Sequence, residues 1–333
     1  MRPRVLLTHP NGPRTNYYGA QALAELHAIA DVTLNQSDDD ELSTDRLLAL
    51  AKDCNAIISD RTVQFDAARL DQLPHIAAIL RVAVDIRNID VPAASSLGIL
   101  VCQASRSWVP AVAELVIGLM IDAARGISRA NLAYKQNHTP SISTGRQLAG
   151  STVGIIGYGP LGQRVADLCT AFGMTVLVHD PYTNPTNPAH VPVTLEYLCA
   201  TADFIVPLAV ATPETENLIN ATKLALMRPT AYLINLSRGN LIHDDALRAA
   251  LDSHTIAGAA LDVGRAPDQM PMPDLAARIN VTATPHIGGL TVPAIEGQAL
   301  ETVAQLRTLL AGQVPPGAVN APAAHRLQQL RRV

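Results

Sequence analysis

Gly157, Gly159 and Gly162 stand at a spacing that would let a protein backbone cradle a pyrophosphate. An apolar run, Val153–Ile156, precedes them and an amphipathic segment follows, so the pattern is a buried strand, a tight turn and a helix with an open N-terminus. Gly157 permits the turn, Gly159 lets a pyrophosphate approach, and Gly162 lets the helix pack close to the strand. Pro160 has no N–H but suits the first helical turn, which leaves Leu161 and Gly162 to supply the amides. A second apolar run, Thr175–His179, ends at Asp180, where an acid would meet the adenosine ribose hydroxyls. Asp180 could also simply cap the turn at Pro181.

The elements that must hold these residues alternate in period. The strand patterns Val5–Thr8, Asp31–Leu34, Ala56–Ser59, Ala77–Val82 and Ile99–Cys102 are separated by helical patterns at Tyr18–Ala30, Asp45–Lys52, Ala67–Leu73 and Val91–Leu97. Pro110 opens a long apolar helix to about Ile127, expected to be buried between domains or subunits, and a polar connector covers Asn137–Gly150. After the glycine turn come strand patterns at Thr175–His179, Phe204–Leu208, Tyr232–Asn235, Ala257–Val263 and Val281–Thr284, then a long helix, Val292–Leu310, and a basic tail, Arg326–Val333. Strands alternating with helices mean parallel sheets. At 333 residues the chain suits two such domains. Ligands of open α/β sheets bind beyond the carboxyl ends of the strands, and there the sequence puts Asp60 and Arg61, Arg81–Asp85, Gln103–Trp108, Asp180, Val210–Thr215, Arg238, Asp262–Asp268 and His286.

These words together resemble the D-isomer-specific 2-hydroxyacid dehydrogenase family. The matching stretches are GIIGYGPLG, VLVHDPY, TPET at Thr212–Thr215, ALMRPTAYLINLSRGNLI, AGAALDV and TPHIGG, with looser matches at SDRT (Ser59–Thr62) and NID (Asn88–Asp90). The resemblance implies an α/β fold of two Rossmann-like or flavodoxin-like parallel-sheet domains with a cleft between them. Residues 1–104 plus 291–333 would form a discontinuous substrate domain and 105–290 an NAD-binding domain. It implies NAD as cofactor, a small 2-oxo or 2-hydroxy acid as substrate, and a homodimer joined through the NAD-binding domains. Arg238 matches the arginine that holds the substrate carboxylate and reacting carbonyl, and His286 the general acid/base. Asp262 matches the residue meeting the nicotinamide carboxamide. The cofactor-lining set is Gly157, Tyr158, Gly159, Pro160, Leu161, Gly162, Asp180, Val210, Thr215, Leu236, Ser237, Asp262 and Gly288. The substrate-lining set is Arg61, Arg81, Val84, Asp85 and Trp108.

The chemistry suits that assignment. A guanidinium offers two parallel donors to a carboxylate and positive charge where an alkoxide develops, and histidine titrates near neutrality. Two departures from the family pattern stand out. Pro267 occupies the place of the glutamate whose carboxylate orients the histidine; Asp268, one residue on, is the candidate stand-in, and its change to Asn would then lower activity. Asp85 falls in the turn whose amides receive the substrate carboxylate. It is either neutralised by Arg81 or Arg87 or favours a substrate with a cationic or hydroxyl-rich end.

Other classes are disfavoured. The net charge of −4 comes without a block of like charges, against a nucleic-acid surface. Cys54, Cys102, Cys169 and Cys199 show no metal-ligand spacing and read as reduced core residues of a cytoplasmic protein, and no metal is expected. The apolar stretch Val109–Ala124 is too short and too charged for a membrane span. His9, His27, His75, His138, His190 and His254 read as surface or turn residues. The chain stops soon after its last helix, without a regulatory extension, so glyoxylate or hydroxypyruvate reduction leads. The alternatives are an NAD(H)-binding sensor or corepressor-like protein, kept open by Pro267 and Asp85, and a phosphite- or formate-type dehydrogenase relative.

Overall fold

A computed structural model describes residues 2–38 and 42–330; of the expected basic tail, Arg331–Val333 lie outside the described residues. The chain forms two compact units, Met1–Trp108 with Leu290–Val333, and Val109–Gly289. The sequence expectation set these boundaries after residues 104 and 290.

The first unit contains β1 (Arg4–Leu7), β2 (Asp31–Leu34), β3 (Ala56–Ser59), β4 (Ala78–Arg81) and β5 (Leu100–Cys102). They make one parallel sheet in the order β2-β1-β3-β4-β5. Period-2 alternation divides the apolar side chains between its faces. Leu6, Ile57, Ile79 and Val101 pack with Leu47, Phe65 and Leu70. Val5, Leu7, Ile58 and Leu80 pack instead with Leu26 and with Val303, Leu306 and Leu309 of the helix Val292–Leu310. Each such buried side chain contributes about 1.5–3 kcal/mol, so the C-terminal helix is part of this unit's core. The helix expected over Tyr18–Ala30 is found as Ala20–Ile29, and a further helix, Asn11–Tyr17, precedes it, with Gly19 at φ 87° between the two.

The second unit contains β6 (Thr152–Ile156), β7 (Thr175–His179), β8 (His190–Pro192), β9 (Phe204–Pro207), β10 (Tyr232–Asn235), β11 (Gly258–Leu261) and β12 (Val281–Ala283). Their order is β12-β11-β10-β9-β6-β7-β8, all parallel. From β6 the chain winds outward to β7 and β8, then returns on the other side at β9. The switch in direction therefore lies at the carboxyl end of β6, beside Gly157. The sequence reading has no counterpart of β8, a three-residue edge strand ending in a proline, which an edge tolerates.

The apolar helix Val109–Arg125 packs within this unit, on the helix Pro160–Ala171 and on β10, β11 and β12. These contacts cover one side of the helix within its own unit. It stops at Arg125, Gly126 takes φ 65°, and a second helix runs Ile127–Lys135. Buried Asp122 secures the junction, accepting from Ser128 N at 2.6 Å and Thr282 Oγ1 at 2.7 Å.

All four cysteines are buried and reduced, and burial pushes the Cys102 and Cys169 thiols up to about 12. Two histidines depart from the surface reading: His9 and His190 are both buried. Each follows or starts a strand, where a polar ring is enclosed by neighbouring layers. Among the described residues no helix is long and apolar enough to cross a membrane, and no His/Cys/Asp/Glu cluster is placed to hold a metal ion.

Candidate functional site

The glycine turn separates packing from binding. A Cβ on Gly162 would stand 2.1 Å from the Gly157 carbonyl oxygen, and one on Gly157 2.6 Å from Ala209 N, where φ is also 99°. Protein packing alone therefore explains both glycines. Gly159 is different: its φ is −70°, open to any residue, and no atom lies within 4 Å of where a Cβ would be. The helix Pro160–Ala171 starts there with Pro160 in its first turn and no side chain capping it. An open face over Gly159 and an uncapped helix N-terminus are what a pyrophosphate needs, so the residues present fit the group.

Asp180 serves the protein on both oxygens. Oδ1 accepts from Tyr182 N and Thr183 N at 2.8 and 2.9 Å, the turn-capping arrangement, and Oδ2 accepts from Tyr158 N at 2.6 Å. A carboxylate oxygen accepts two bonds, so Oδ2 keeps a lone pair for a ribose hydroxyl. Beyond β9, Thr215 Oγ1 donates to Val210 O at 2.6 Å and accepts from Thr212 N at 2.8 Å. Thr215 thus shapes its loop, while Val210 stands exposed at the tip.

Arg238, after β10, is held through its backbone. Asn235 Nδ2 donates to Arg238 O at 2.9 Å, and Asn235 Oδ1 accepts from Ser237 N at 3.1 Å. Ser237 Oγ reaches Ala209 O at 3.2 Å, tying this loop to the one after β9, and Leu236 is buried beneath it. The next residue, Gly239, lies against Gly264 so closely that a Cβ would sit 2.3 Å from its carbonyl. Gly264 in turn lies against Met270 and Pro271. Arg265 fastens the same junction, its Nη2 within 2.8 Å of Glu216 Oε1 and Asn217 Oδ1 and 3.2 Å of the Asn240 and Ile242 carbonyls. The sequence reading passed over Arg265; its one signal was a position just beyond β11.

His286 is fixed by main chain. Its Nδ1 lies 2.7 Å from the carbonyl oxygen of Asp268. The backbone of the expected partner residue thus meets the ring, with Asp268 and Gln269 both in left-handed conformations (φ 57° and 58°) beside it. A carbonyl only accepts, so Nδ1 carries a proton and Nε2 is the nitrogen left to work. His286 itself has φ 54°. Such left-handed residues cost of order 1–3 kcal/mol each and persist where surrounding structure dictates them. Here the dictating group is Asp262, only 1% exposed. Its Oδ1 accepts from Thr284 Oγ1 at 2.6 Å and Ile287 N at 2.8 Å, and its Oδ2 from Gly288 N at 2.9 Å. The residue expected at the nicotinamide is thus a clamp on the His286 loop, with one lone pair on Oδ2 uncommitted.

In the first unit, the residues beyond β1, β3 and β4 form their own cluster. Asp60 Oδ1 accepts from Thr8 Oγ1, Thr62 N and Thr62 Oγ1, each at 3.2 Å. Arg81 is buried, with Nε 3.3 Å from Asn88 Oδ1 and Nη1 3.3 Å from Ser59 O. Burial draws its guanidinium down to about 10 against the pull of Asp60 and Asp85, which leaves it charged at neutral pH. Asp85 is gripped by Arg87, whose Nε lies 2.9 Å from Oδ1 and whose Nη2 lies 2.6 Å from Oδ2. Arg87 is accordingly one counter-charge to Asp85. Exposed Arg61 lies over the Tyr17 ring at 5.8 Å, and Val84 and Trp108 are half-buried. Burial lowers His9 to about 4, Asp60 opposing and Arg81 and Arg14 adding to the shift, and its Nδ1 has no hydrogen-bond partner.

Comparison with known proteins agrees with this geometry. Residues 117–288 match the model of the D-isomer specific 2-hydroxyacid dehydrogenase, NAD binding domain. A D-3-phosphoglycerate dehydrogenase of Mycobacterium bovis is 34% identical over 283 residues, 83% of this chain but 53% of that protein, so the chain spans about half of that relative's length. A glyoxylate reductase of Thermococcus onnurineus is 30% identical over 333 residues, covering 96% of each chain. The solved structure of a Polaromonas protein described as a D-isomer specific 2-hydroxyacid dehydrogenase superposes with a TM-score of 0.86 at 26% identity, over 96% of this chain and 100% of that one. Glycine turn, parallel-sheet order and sequence comparison converge: the chain belongs to the D-isomer-specific 2-hydroxyacid dehydrogenase family, and its second unit is an NAD-binding domain.

Proposed function

We propose that the protein is an NAD-dependent oxidoreductase that interconverts a small 2-oxo acid, of the glyoxylate or hydroxypyruvate type, and its D-2-hydroxy acid. The observation that carries this reading is the junction of the Arg238 and His286 loops. Gly239 seats on Gly264, Arg265 bridges the two, and His286 is held on the Asp268 carbonyl with Nε2 left to work. When bound, the nicotinamide supplies the hydride. Arg238 pairs its guanidinium with the substrate carboxylate and offsets charge growing on the carbonyl oxygen. His286 Nε2 gives that oxygen its proton in the reductive direction and takes it back in the oxidative one. Asp262 and the Asp268 carbonyl keep the ring in place. Arg61 supplies positive charge on the substrate side, while Arg81, committed to Asn88 and Ser59, supports the turn that carries Val84 and Asp85. The small-acid class is supported by the end-to-end match to a glyoxylate reductase.

The partner in this reading is a second copy of the chain, docked through the NAD-binding unit. Support comes from Ile127, Leu132 and Tyr134 on the helix Ile127–Lys135 and from Ile142 beyond it, all exposed apolar side chains on one segment.

The deciding experiment follows NADH oxidation against a panel of 2-oxo acids, with Arg238→Ala as control. Turnover that falls by about 10²–10³ in the variant supports the reading. Tight NADH binding without turnover of any acid would overturn it in favour of a sensor.

A further inference from the structure

Tyr158 and His190 form a buried polar pair beneath the glycine turn, and neither takes part in the chemistry proposed above. Tyr158 is 4% exposed and His190 2%. The Tyr158 hydroxyl lies 2.6 Å from His190 Nδ1, with the rings edge-on at 5.8 Å. On the other side of the imidazole, Nε2 lies 3.2 Å from Thr170 Oγ1, 3.4 Å from Asn187 Nδ2 and 3.8 Å from Asp167 Oδ1. Thr170 spends its hydroxyl proton on the Ala166 carbonyl at 2.9 Å, so its oxygen accepts from Nε2 in one tautomer, whereas Asn187 Nδ2 donates to Nε2 in the other. In either tautomer the Tyr158 hydroxyl and Nδ1 share one hydrogen bond, because a hydroxyl both donates and accepts.

The other polar groups of Tyr158 are also engaged. Its N–H donates to Asp180 Oδ2 at 2.6 Å and its carbonyl accepts from Gln163 Nε2 at 3.0 Å. Its neighbours Gly157 and Gly159 have no side chains with which to restrain the turn, and glycine is the most freely moving of residues. Tyr158 is the one side chain inside it. Through that side chain the turn is tied to β8, the edge strand farthest from β6 on that side of the sheet, and back to its own helix through Thr170.

We propose that the Tyr158–His190 pair is a positioning device for the pyrophosphate-binding turn. It holds the open amides of the helix Pro160–Ala171 in binding geometry before the cofactor arrives, and so adds to cofactor affinity through the buried side chain of a residue whose backbone belongs to the turn. This rests on the reading of the turn as the pyrophosphate seat. Preorganisation of this kind raises affinity by removing an ordering cost from the binding step.

The test uses the full chain and four variants: Tyr158→Phe, His190→Leu, the Tyr158→Phe/His190→Leu double and His190→Asn. The readouts are the urea unfolding midpoint, the NADH dissociation constant, and KM for NADH against kcat. Each of the first two leaves a buried polar atom unpaired and lowers the midpoint. The double removes both polar atoms and recovers the midpoint, yet its NADH dissociation constant stays raised by about tenfold. The loss is carried by KM for NADH rather than by kcat. His190→Asn, which keeps an acceptor for the hydroxyl, recovers much of the affinity. A double variant that binds NADH as tightly as the wild type would overturn the proposal and reduce the pair to packing, and it decides the matter even if the single variants fail to fold. Wild-type protein that does not bind NADH would overturn the cofactor reading itself, a separate result.

Discussion

Pro267 stands where the family pattern has a carboxylate beside the histidine, and the hydrogen-bond acceptor for His286 Nδ1 comes from the backbone of the next residue. The Asp268 carbonyl lies 2.7 Å from His286 Nδ1, beside two successive left-handed residues. Asp268→Asn is therefore expected to keep kcat within about threefold, since asparagine tolerates that conformation and leaves the carbonyl in place. His286→Asn, which removes the proton-transfer group, is expected to lower kcat by about 10²–10⁴-fold. Steady-state kinetics on both variants check this, and a large loss in Asp268→Asn would return the role to the carboxylate. A second residue-scale expectation concerns His9. An unfolded chain protonates a histidine near 6.5, whereas the folded imidazole is held at about 4 by burial. Between those values the unfolded state binds the extra proton, so stability falls as pH drops from about 6.5 toward 4, by up to about 3 kcal/mol. Urea titrations at pH 7 and pH 5 should show that fall in the wild type and a smaller one in His9→Gln.

At the scale of the element, the turn between β6 and its helix contains three glycines with different reasons to be glycine. Gly162→Ala would drive a Cβ to 2.1 Å from the Gly157 carbonyl oxygen, and overpacking of this kind costs about 1–3 kcal/mol. Its unfolding midpoint should fall. Gly159→Ala meets no protein atom and needs no unusual φ, so its midpoint should stay near the wild type while NADH affinity drops by about tenfold or more. Calorimetric binding beside thermal melts separates the two cases, and unchanged NADH affinity in Gly159→Ala would move the pyrophosphate elsewhere. The strand and helix of this element were legible because the period switches from a buried apolar run to an amphipathic one at Gly157. The strand β8 was not, since three residues ending in Pro192 carry no periodic signal and pair only because β7 offers an open edge.

At the scale of the whole molecule, the proposed subunit contact rests on the segment after the long apolar helix. The helix Val109–Arg125 packs on the helix Pro160–Ala171 and on β10, β11 and β12, while Ile127, Leu132, Tyr134 and Ile142 beyond it are exposed. Leu132→Asp combined with Tyr134→Asp should shift the protein from dimer to monomer in sedimentation experiments while leaving its unfolding midpoint within error, because neither side chain is buried in its own unit. A wild-type monomer, or a dimer untouched by both changes, would exclude this surface.

Local information was enough for much of this protein. Alternating apolar runs marked eleven of the strands, the glycine spacing marked the nucleotide turn, and the order of short words around Arg238 and His286 marked the family. Each depends on residues near one another in the chain, where pattern and geometry are linked directly. What depended on distant residues meeting was decided only by the fold. Among these are the carbonyl in place of a carboxylate at His286, the clamp that Asp262 makes on its loop, Arg265 tying three loops, and Arg87 answering Asp85. The burial of His9 and His190 belongs with them, because whether a histidine beside a strand meets water or a closed layer is settled by what packs over it. The Tyr158–His190 contact spans 32 positions of sequence and ties the glycine turn to an edge strand that no local pattern announces. The sequence by itself determined the glycine turn and the family, because both are written in residues close together in the chain; tertiary packing decided which side chains meet beneath that turn, because those come from residues far apart.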